Sequence, residues 1–373
     1  MQIVPVESRR QRKQFLELPW KINVGDPLWV PPLRHNQKQL CGFGDHPFYD
    51  AAESQAFLAL RDGEPVGRVL AIVNHAHNNW AKEKRGFFGF FECVDDQEVS
   101  GPLFEEAFAW LRERGMDCVR GPANPSLNYE WGLLIKGFDK PPFFMMTHNR
   151  PYYAELVEAA GFEKAQDLYA FWGEVDMLRT MTKDKKMISL DAQVRERFGV
   201  TLRTMDRKRF REEVSLFLDI YNQALAGTWG YIPLSEAEID RMSRDLRHLI
   251  VPDLAVVAEH EGKAIGVMFG LLDYNERVRK IDGKLFPFGF LTLLRNKRKI
   301  NRIRLVSTNV LPQYQAMGVG VVLAVGMIHP SLAFGLNEVE FSWVLESNNL
   351  SRKTLEKGGA KRYKEYRVYD RPL

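Results

Sequence analysis

The sequence has 373 residues, of which 45% are hydrophobic and 27% charged, and a formal net charge of +4. At roughly 150 residues per domain this predicts about two and a half domains, and the apolar content excludes disorder as the main state. The weak basicity does not by itself point to nucleic acid. The three distant cysteines (Cys41, Cys93, Cys118) argue against a disulfide framework or a Cys-built zinc site, and no apolar run reaches the ~18 residues of a membrane span.

In chain order, the residue patterns predict strands near 2–6, 55–61, 65–74, 86–94, 117–121 and 163–173. Helices are predicted near 8–20, 103–115 and 151–160. Residues 175–198, with Lys183, Asp184, Lys185 and Lys186, read as a charged, partly helical linker. Beyond it, strands are predicted near 200–204, 254–260, 263–273, 302–310, 337–345 and 361–369, and helices near 206–226, 235–250, 318–329 and 349–357. The opening MQIVPVESRRQRKQF lacks the apolar core of a signal peptide, so a cytoplasmic location is expected.

Two stretches repeat. AFLALRDGEPVGRV from Ala56 and AVVAEHEGKAIGVM from Ala255 are both hairpin patterns, with Gly63 and Gly67 each 199 residues before Gly262 and Gly266. Near the ends, a helix stopped by Gly161 or Gly359, 198 residues apart, leads into a strand rich in aromatics. We therefore expect one unit used twice, over 1–174 and 199–373, joined by 175–198. The second copy has 17 more residues between Gly266 and Val310 than the first has between Gly67 and Val94.

The stretch from Ile303 to His329 carries the chemistry. A buried strand ends at Val310 and is stopped by Pro312. Gln315-Ala316-Met317-Gly318-Val319-Gly320 then leads into an apolar helical run. A strand, a glycine turn and a helix N-terminus form an arrangement that binds phosphate, because free N–H groups and the helix dipole both favour an anion there. A Walker loop and a GxGxxG fingerprint are both absent.

These residues resemble the GNAT superfamily of acyl-CoA N-acyltransferases. Val310-Leu311-Pro312 matches its fourth-strand ending, and Gln315 to Gly320 match its pyrophosphate loop. After the fifth strand, Asn348-Asn349-Leu350-Ser351 and Gly358-Gly359 match the helix that follows. The first half resembles the same fold weakly. The resemblance implies an α/β fold (GNAT-like α+β) in two tandem copies, each a mixed, mostly antiparallel sheet flanked by helices. It also resembles uncharacterised bacterial tandem proteins through the stretch from Asp26.

The resemblance further implies that acetyl-CoA or another acyl-CoA binds between the fourth and fifth strands as substrate. Val310 and Asn349 would meet the pantetheine arm, and the loop of Gln315, Met317, Gly318, Val319 and Gly320 would hold the pyrophosphate. An unidentified amine would attack the thioester directly. The family's usual Tyr is Leu355 here, and the fourth strand offers Ser307, Thr308 and Asn309 but no carboxylate. Glu346 and Asn309 are therefore the candidate catalytic residues.

In the first copy, Pro102 falls at the place of Gly318, with Asp95, Asp96 and Glu98 nearby. Proline has no N–H to donate and the acids repel phosphate, so this copy is expected not to bind the cofactor. Six bases (Arg295, Lys297, Arg298, Lys299, Arg302, Arg304) form a run that fits either a solvated loop or an anion site. Alternatives kept open are a non-catalytic acyl-CoA sensor, a FemABX-type aminoacyl-tRNA-dependent transferase and a nucleic-acid-binding protein. No metal site is expected: His75 and His77 have no further ligands in sequence.

Overall fold

The computed structural model describes residues 1–181 and 183–373, apart from the side chains at 178 and 181. Its first stretch carries β1 (Gln2–Pro5), α1 (Arg9–Ile22), α2 (Arg34–Leu40), β2 (Ala52–Arg61), β3 (Glu64–Asn74), α3 (His75–Ala81) and β4 (Arg85–Cys93). Then come α4 (Gln97–Glu113), β5 (Cys118–Gly121), the short strands β6 (Ala123–Asn124), β7 (Glu130–Trp131) and β8 (Leu133–Lys136), α5 (Tyr153–Ala159) and β9 (Glu163–Glu174). The chain continues with α6 (Val175–Met181), α7 (Lys185–Phe198), β10 (Val200–Thr204), α8 (Phe210–Leu225), α9 (Glu236–Leu246), β11 (Ala255–His260) and β12 (Lys263–Leu272). It ends with α10 (Asn275–Lys280), α11 (Gly289–Leu294), β13 (Arg302–Val310), α12 (Val319–Phe334), β14 (Glu338–Leu345), α13 (Asn349–Lys357) and β15 (Lys361–Pro372).

Two compact units result. The first comprises Met1–Leu168, Asn275–Leu293 and Lys364–Leu373, and the second Tyr169–Tyr274 and Leu294–Tyr363. In the first, β1 to β4 are antiparallel neighbours and β4 pairs in parallel with β5. In the second, β10 to β13 are antiparallel neighbours and β13 pairs in parallel with β14. A parallel pair needs a crossover, supplied by α4 in one unit and α12 in the other. Gly67 lies opposite Cys93 just as Gly266 lies opposite Val310. The repeat is therefore a repeat of topology and register, with Cys93 rather than Val94 as the counterpart of Val310.

The division differs from the sequence-based one in three places. The 17 extra residues of the second copy fall in 275–293, which pack in the first unit. Residues 175–198 are two helices of the second unit, and Val194 of α7 is buried there. The terminal strands are also traded. Residues 369–372 of β15 pair with β5 and residues 365–367 with β8 in the first unit, while residues 169–174 of β9 lie beside β14 in the second. Hydrophobic pattern fixes which face of a strand is buried but not which strand it pairs with.

One buried face organises each unit. In the first, α4 buries Val99, Leu103, Phe104, Ala107, Phe108 and Leu111, a helical stripe laid on β2 and β3. The rings of Phe91 and Phe104 stack at 4.8 Å within that core. In the second, α12 is apolar on every side because β11 to β13 cover one side and α7 the other. It runs through Pro330 to Phe334 and stops at Gly335 (φ +92°), five residues past the stop expected at His329. Proline removes one helix bond, but burial of Ser331 and Phe334 holds the last turn in place. Among the described residues, no helix is long and apolar enough to cross a membrane.

Candidate functional site

The candidate site lies in the second unit, where β13 and β14 part. Their parallel ladder runs from Arg302 opposite Glu338 to Leu305 opposite Phe341. Beyond it β13 continues to Val310 and β14 to Leu345. On the other edge of β13, Phe269 faces Ser307 while Gly270 faces Leu305, so Val306 is an extra residue. Such a bulge bends its strand and sharpens its twist, which accounts for the parting at this point.

The bulge also aims the main chain. Leu311 N–H donates to Ile265 C=O at 2.9 Å, so those two are a hydrogen-bonded pair. Antiparallel pairs alternate, so the adjacent Val310 turns its N–H and C=O toward the edge that β14 has left. Gln315 Nε2 donates to the Val310 carbonyl at 3.0 Å, tying the 3₁₀ turn Pro312–Met317 to the strand end.

Gly318 joins that turn to α12 at φ +83°. A β-carbon there would lie 3.1 Å from Val194 Cγ2, so both conformation and space favour glycine. The amides of Val319 and Gly320 open the helix, where no intrahelical acceptor exists. A β-carbon on Gly320 would meet nothing within 4 Å, so the space beside the helix end is open. No side chain caps this end and no acid lies in its first turn. The dipole and the free N–H groups therefore suit an anion here.

The other predicted residues are distributed around the parting. Asn309 is buried on β13, and its Nδ2 donates to Ser307 Oγ. Glu346 follows β14 by one residue, and its Oε1 accepts the Tyr169 hydroxyl at 3.2 Å. Arg352 donates to the Glu346 carbonyl at 2.7 Å and to Asn349 Oδ1 at 3.4 Å. Asn349 thus sits on the exposed start of α13 against Arg352, while Asn348 caps the helix by accepting from Ser351 N at 3.1 Å. Leu355 packs against a small cluster of Tyr169, Phe171, Val344 and Ala360. Sequence reasoning missed Tyr169, whose only local signal is its place in an alternating strand.

The six-base run is not one site. Arg302 pairs with Asp273 at 3.0 Å, and Arg304 is buried. Arg304 Nε donates to Ser342 Oγ at 2.8 Å, and Ser342 donates to Glu340 Oε1 at 2.6 Å. Tyr363, expected to be packing, donates its hydroxyl to the other oxygen of the buried Glu340. This polar network sits at the last paired residues of β13 and β14, and its satisfied partners fix where the parting begins. An apolar cavity lies beneath α12 at the same level, lined by Met268, Ile303, Leu305, Ala324, Met327 and Phe341 among others.

The first unit closes the corresponding position. Val94 N–H donates to Val66 C=O at 3.0 Å, so Cys93 turns its polar groups toward β5 as Val310 does toward β14. There the Cys93 N–H donates to the Tyr153 hydroxyl at 3.1 Å and its carbonyl accepts the Tyr152 hydroxyl at 2.8 Å. Only residues 94–96 separate β4 from α4, so the loop found at 311–318 has no counterpart. Asp96, not Pro102, stands at the helix N-terminus, and its carboxylate accepts from Glu98 N at 2.9 Å. Pro102 lies inside α4, which starts before the predicted 103 because Asp96 caps it. Among the described residues, no group of three or more metal-ligating side chains gathers.

No family model matches the chain. It is 33% identical over 374 residues to protein YghO of Escherichia coli (strain K12), covering 98% of this chain and 94% of that one. It is 35% identical over 384 residues to the bacterial ceramide synthase of Caulobacter vibrioides, covering 100% and 98%. A tandem GNAT protein from the clavulanic acid biosynthesis pathway superposes with a TM-score of 0.58 at 11% identity, covering 100% of this chain and 98% of that one. A GCN5-related N-acetyltransferase from Sphaerobacter thermophilus gives 0.54 at 12%, covering 99% and 95%. These solved structures bear on the fold, which is a tandem GNAT fold. The chain belongs to the family of YghO and the Caulobacter ceramide synthase.

Proposed function

We propose that this protein is an acyltransferase that moves an acyl group from acyl-CoA to an amine, with the cofactor held by the second unit. The observation that carries this reading is the parting of β13 from β14, with the Val310 main chain turned into the gap beside the glycine loop at the head of α12. In this reading the pantetheine arm pairs with Val310, whose carbonyl Gln315 releases. Asn349 reaches the arm from α13. The amides of Val319 and Gly320 hold the pyrophosphate, and Met317 and Gly318 shape the loop. The first unit would hold no cofactor, since Tyr152 and Tyr153 occupy the matching main-chain groups.

The amine nitrogen attacks the thioester carbonyl carbon. A C–N bond forms, the C–S bond breaks, the amine yields a proton to a base, and the departing thiolate takes one up. Glu346 is our candidate base. Tyr169, already hydrogen-bonded to it, is our candidate acid, in place of the Tyr replaced by Leu355. Asn309 and Ser307 would orient the reacting groups from β13. The apolar cavity beneath α12 adjoins the last ladder pair and suits the distal carbons of an acyl chain longer than acetyl. The name ceramide synthase, borne by the Caulobacter relative, denotes amide formation on a lipid amine, and we extend that acceptor class to this chain.

Calorimetric titration with acetyl-CoA and longer acyl-CoAs tests the cofactor site. One saturable site per chain is expected, and no binding at millimolar cofactor would reject the reading. Thiol release with a panel of amines, long-chain amino alcohols included, tests turnover. Binding without release across the panel would instead leave an acyl-CoA-binding protein, a reading favoured by Leu355 packed in an apolar cluster.

A further inference from the structure

Ten large apolar side chains are exposed among the described residues, and four of them fall within six positions: Phe286 (71%), Phe288 (71%), Phe290 (39%) and Leu291 (55%). Single exposed apolar residues are ordinary, whereas a contiguous cluster marks a binding surface. The Phe286 and Phe290 rings lie 6.4 Å apart. All four belong to the stretch 281–293 that follows α10 in the β12–β13 connection, where the first copy has only α3 and residues 82–84 before β4.

The base of the insertion is firmly held. Val278 and Leu293 are buried, and Arg277 donates to the Leu293 carbonyl at 2.9 Å. Asn275 Nδ2 donates to the Pro142 carbonyl at 2.8 Å. Asp282 accepts Trp20 Nε1 and Arg34 at 2.6 Å each, and the Gly283 carbonyl accepts Arg34 N at 3.0 Å. The exposed tip is therefore presented by an anchored stem. Its charge is net positive: residues 275–293 carry four Lys or Arg (Arg277, Arg279, Lys280, Lys284) and two acids, Glu276 and Asp282, the second of which the stem engages. Arg279, Lys280 and Lys284 are exposed.

We propose that this insertion docks the protein on an anionic lipid surface. Phe286, Phe288 and Leu291 enter the boundary between headgroups and acyl chains, and the flanking bases meet lipid phosphates. Charge selects this occupant over a second copy of the chain, since two such tips repel. The aliphatic Leu291 has no planar face to stack on a base, which selects it over nucleic acid. With no helix able to span a bilayer among the described residues, the contact is one with the surface. The proposal does not depend on acyl transfer.

The test mixes the full chain with phosphatidylcholine vesicles, with or without about 30% phosphatidylglycerol, and measures sedimentation. The wild type should bind anionic vesicles at least ~10-fold better than neutral ones and weaken with salt. Phe286→Asp with Phe288→Asp should lose at least ~10-fold in vesicle binding, with circular dichroism, unfolding midpoint and acyl-CoA affinity unchanged. Lys280→Glu with Lys284→Glu is a second variant that leaves the apolar tip intact and should lose the preference for anionic lipid. Any of three results would overturn the proposal: no binding of the wild type to anionic vesicles, equal binding by the Phe variant, or loss of a dimer or of tRNA binding in that variant while vesicle binding persists.

Discussion

The hydroxyl of Tyr153 accepts the backbone N–H of Cys93 at 3.1 Å, at the register position that Val310 holds in the second unit. The same hydroxyl donates to Glu92 at 2.7 Å. The first unit thus satisfies with its own tyrosines both main-chain groups, whereas in the second the corresponding groups turn toward the gap and Gln315 takes the Val310 carbonyl. Tyr153→Phe should cost about 1–3 kcal/mol, because a buried N–H and a carboxylate lose their partner together. Urea unfolding should show a lower midpoint, and acyl-CoA stoichiometry should stay at one per chain.

The two loop glycines should respond differently. At Gly318, alanine meets a positive φ and Val194, and should cost about 1–2 kcal/mol of stability. Aspartate there adds a negative charge beside the helix end and should weaken acyl-CoA binding at least ~10-fold. Gly320→Ala has open space and should leave the unfolding midpoint unchanged while hindering the approach of phosphate. Thermal unfolding and calorimetry on the three variants separate these outcomes.

Glu346→Gln should slow thiol release by about 100-fold or more if the carboxylate is the base, with acyl-CoA affinity unchanged. Tyr169→Phe removes the hydrogen bond to Glu346 and should lower the rate less. Equal rates for Glu346→Gln and wild type would remove Glu346 from the mechanism.

Ala324→Phe fills the cavity beneath α12. It should reduce affinity for acyl-CoAs of six or more carbons by at least ~10-fold and leave acetyl-CoA within about twofold, since apolar burial contributes ~0.8 kcal/mol per CH₂. Equal losses for all acyl lengths would separate the cavity from the acyl chain.

Burial holds His77 and His148 below the ordinary imidazole value of 6.5, against the pull of Glu83 and Asp26. The unfolded chain therefore binds more protons than the folded one just below pH 6.5. Stability should be kept above that pH and fall as pH drops toward the lower folded values. His148→Gln should flatten this acid limb in urea titrations at stepped pH.

Much of the second unit's site is legible in the sequence because its signals are local. Val310, Pro312, Gly318 and Gly320 lie within eleven consecutive residues, and their strand–turn–helix meaning needs no tertiary information. Three other features depend on distant partners. Tyr169 reaches Glu346 across 177 residues of chain. Arg304 reads as part of an exposed basic run, but strand alternation turns it inward to Ser342 and Glu340. Counting residues aligns Pro102 to the phosphate loop, whereas the shorter connection puts Asp96 at the helix start. Length differences between copies are invisible to a fixed offset.

The traded strands bear on how this protein is made. β15 brings the buried Tyr366, Val368 and Tyr369 to the first unit, and Asp370 holds Arg120 through two bonds of 2.7 Å. Those residues follow the whole of the second unit in the chain, so the half synthesised first is completed only after the second has been made. A stop codon at position 364 would leave the second unit's glycine loop intact and open the sheet of the first. A cut between residues 175 and 198 would yield two fragments, each carrying a strand that the other requires.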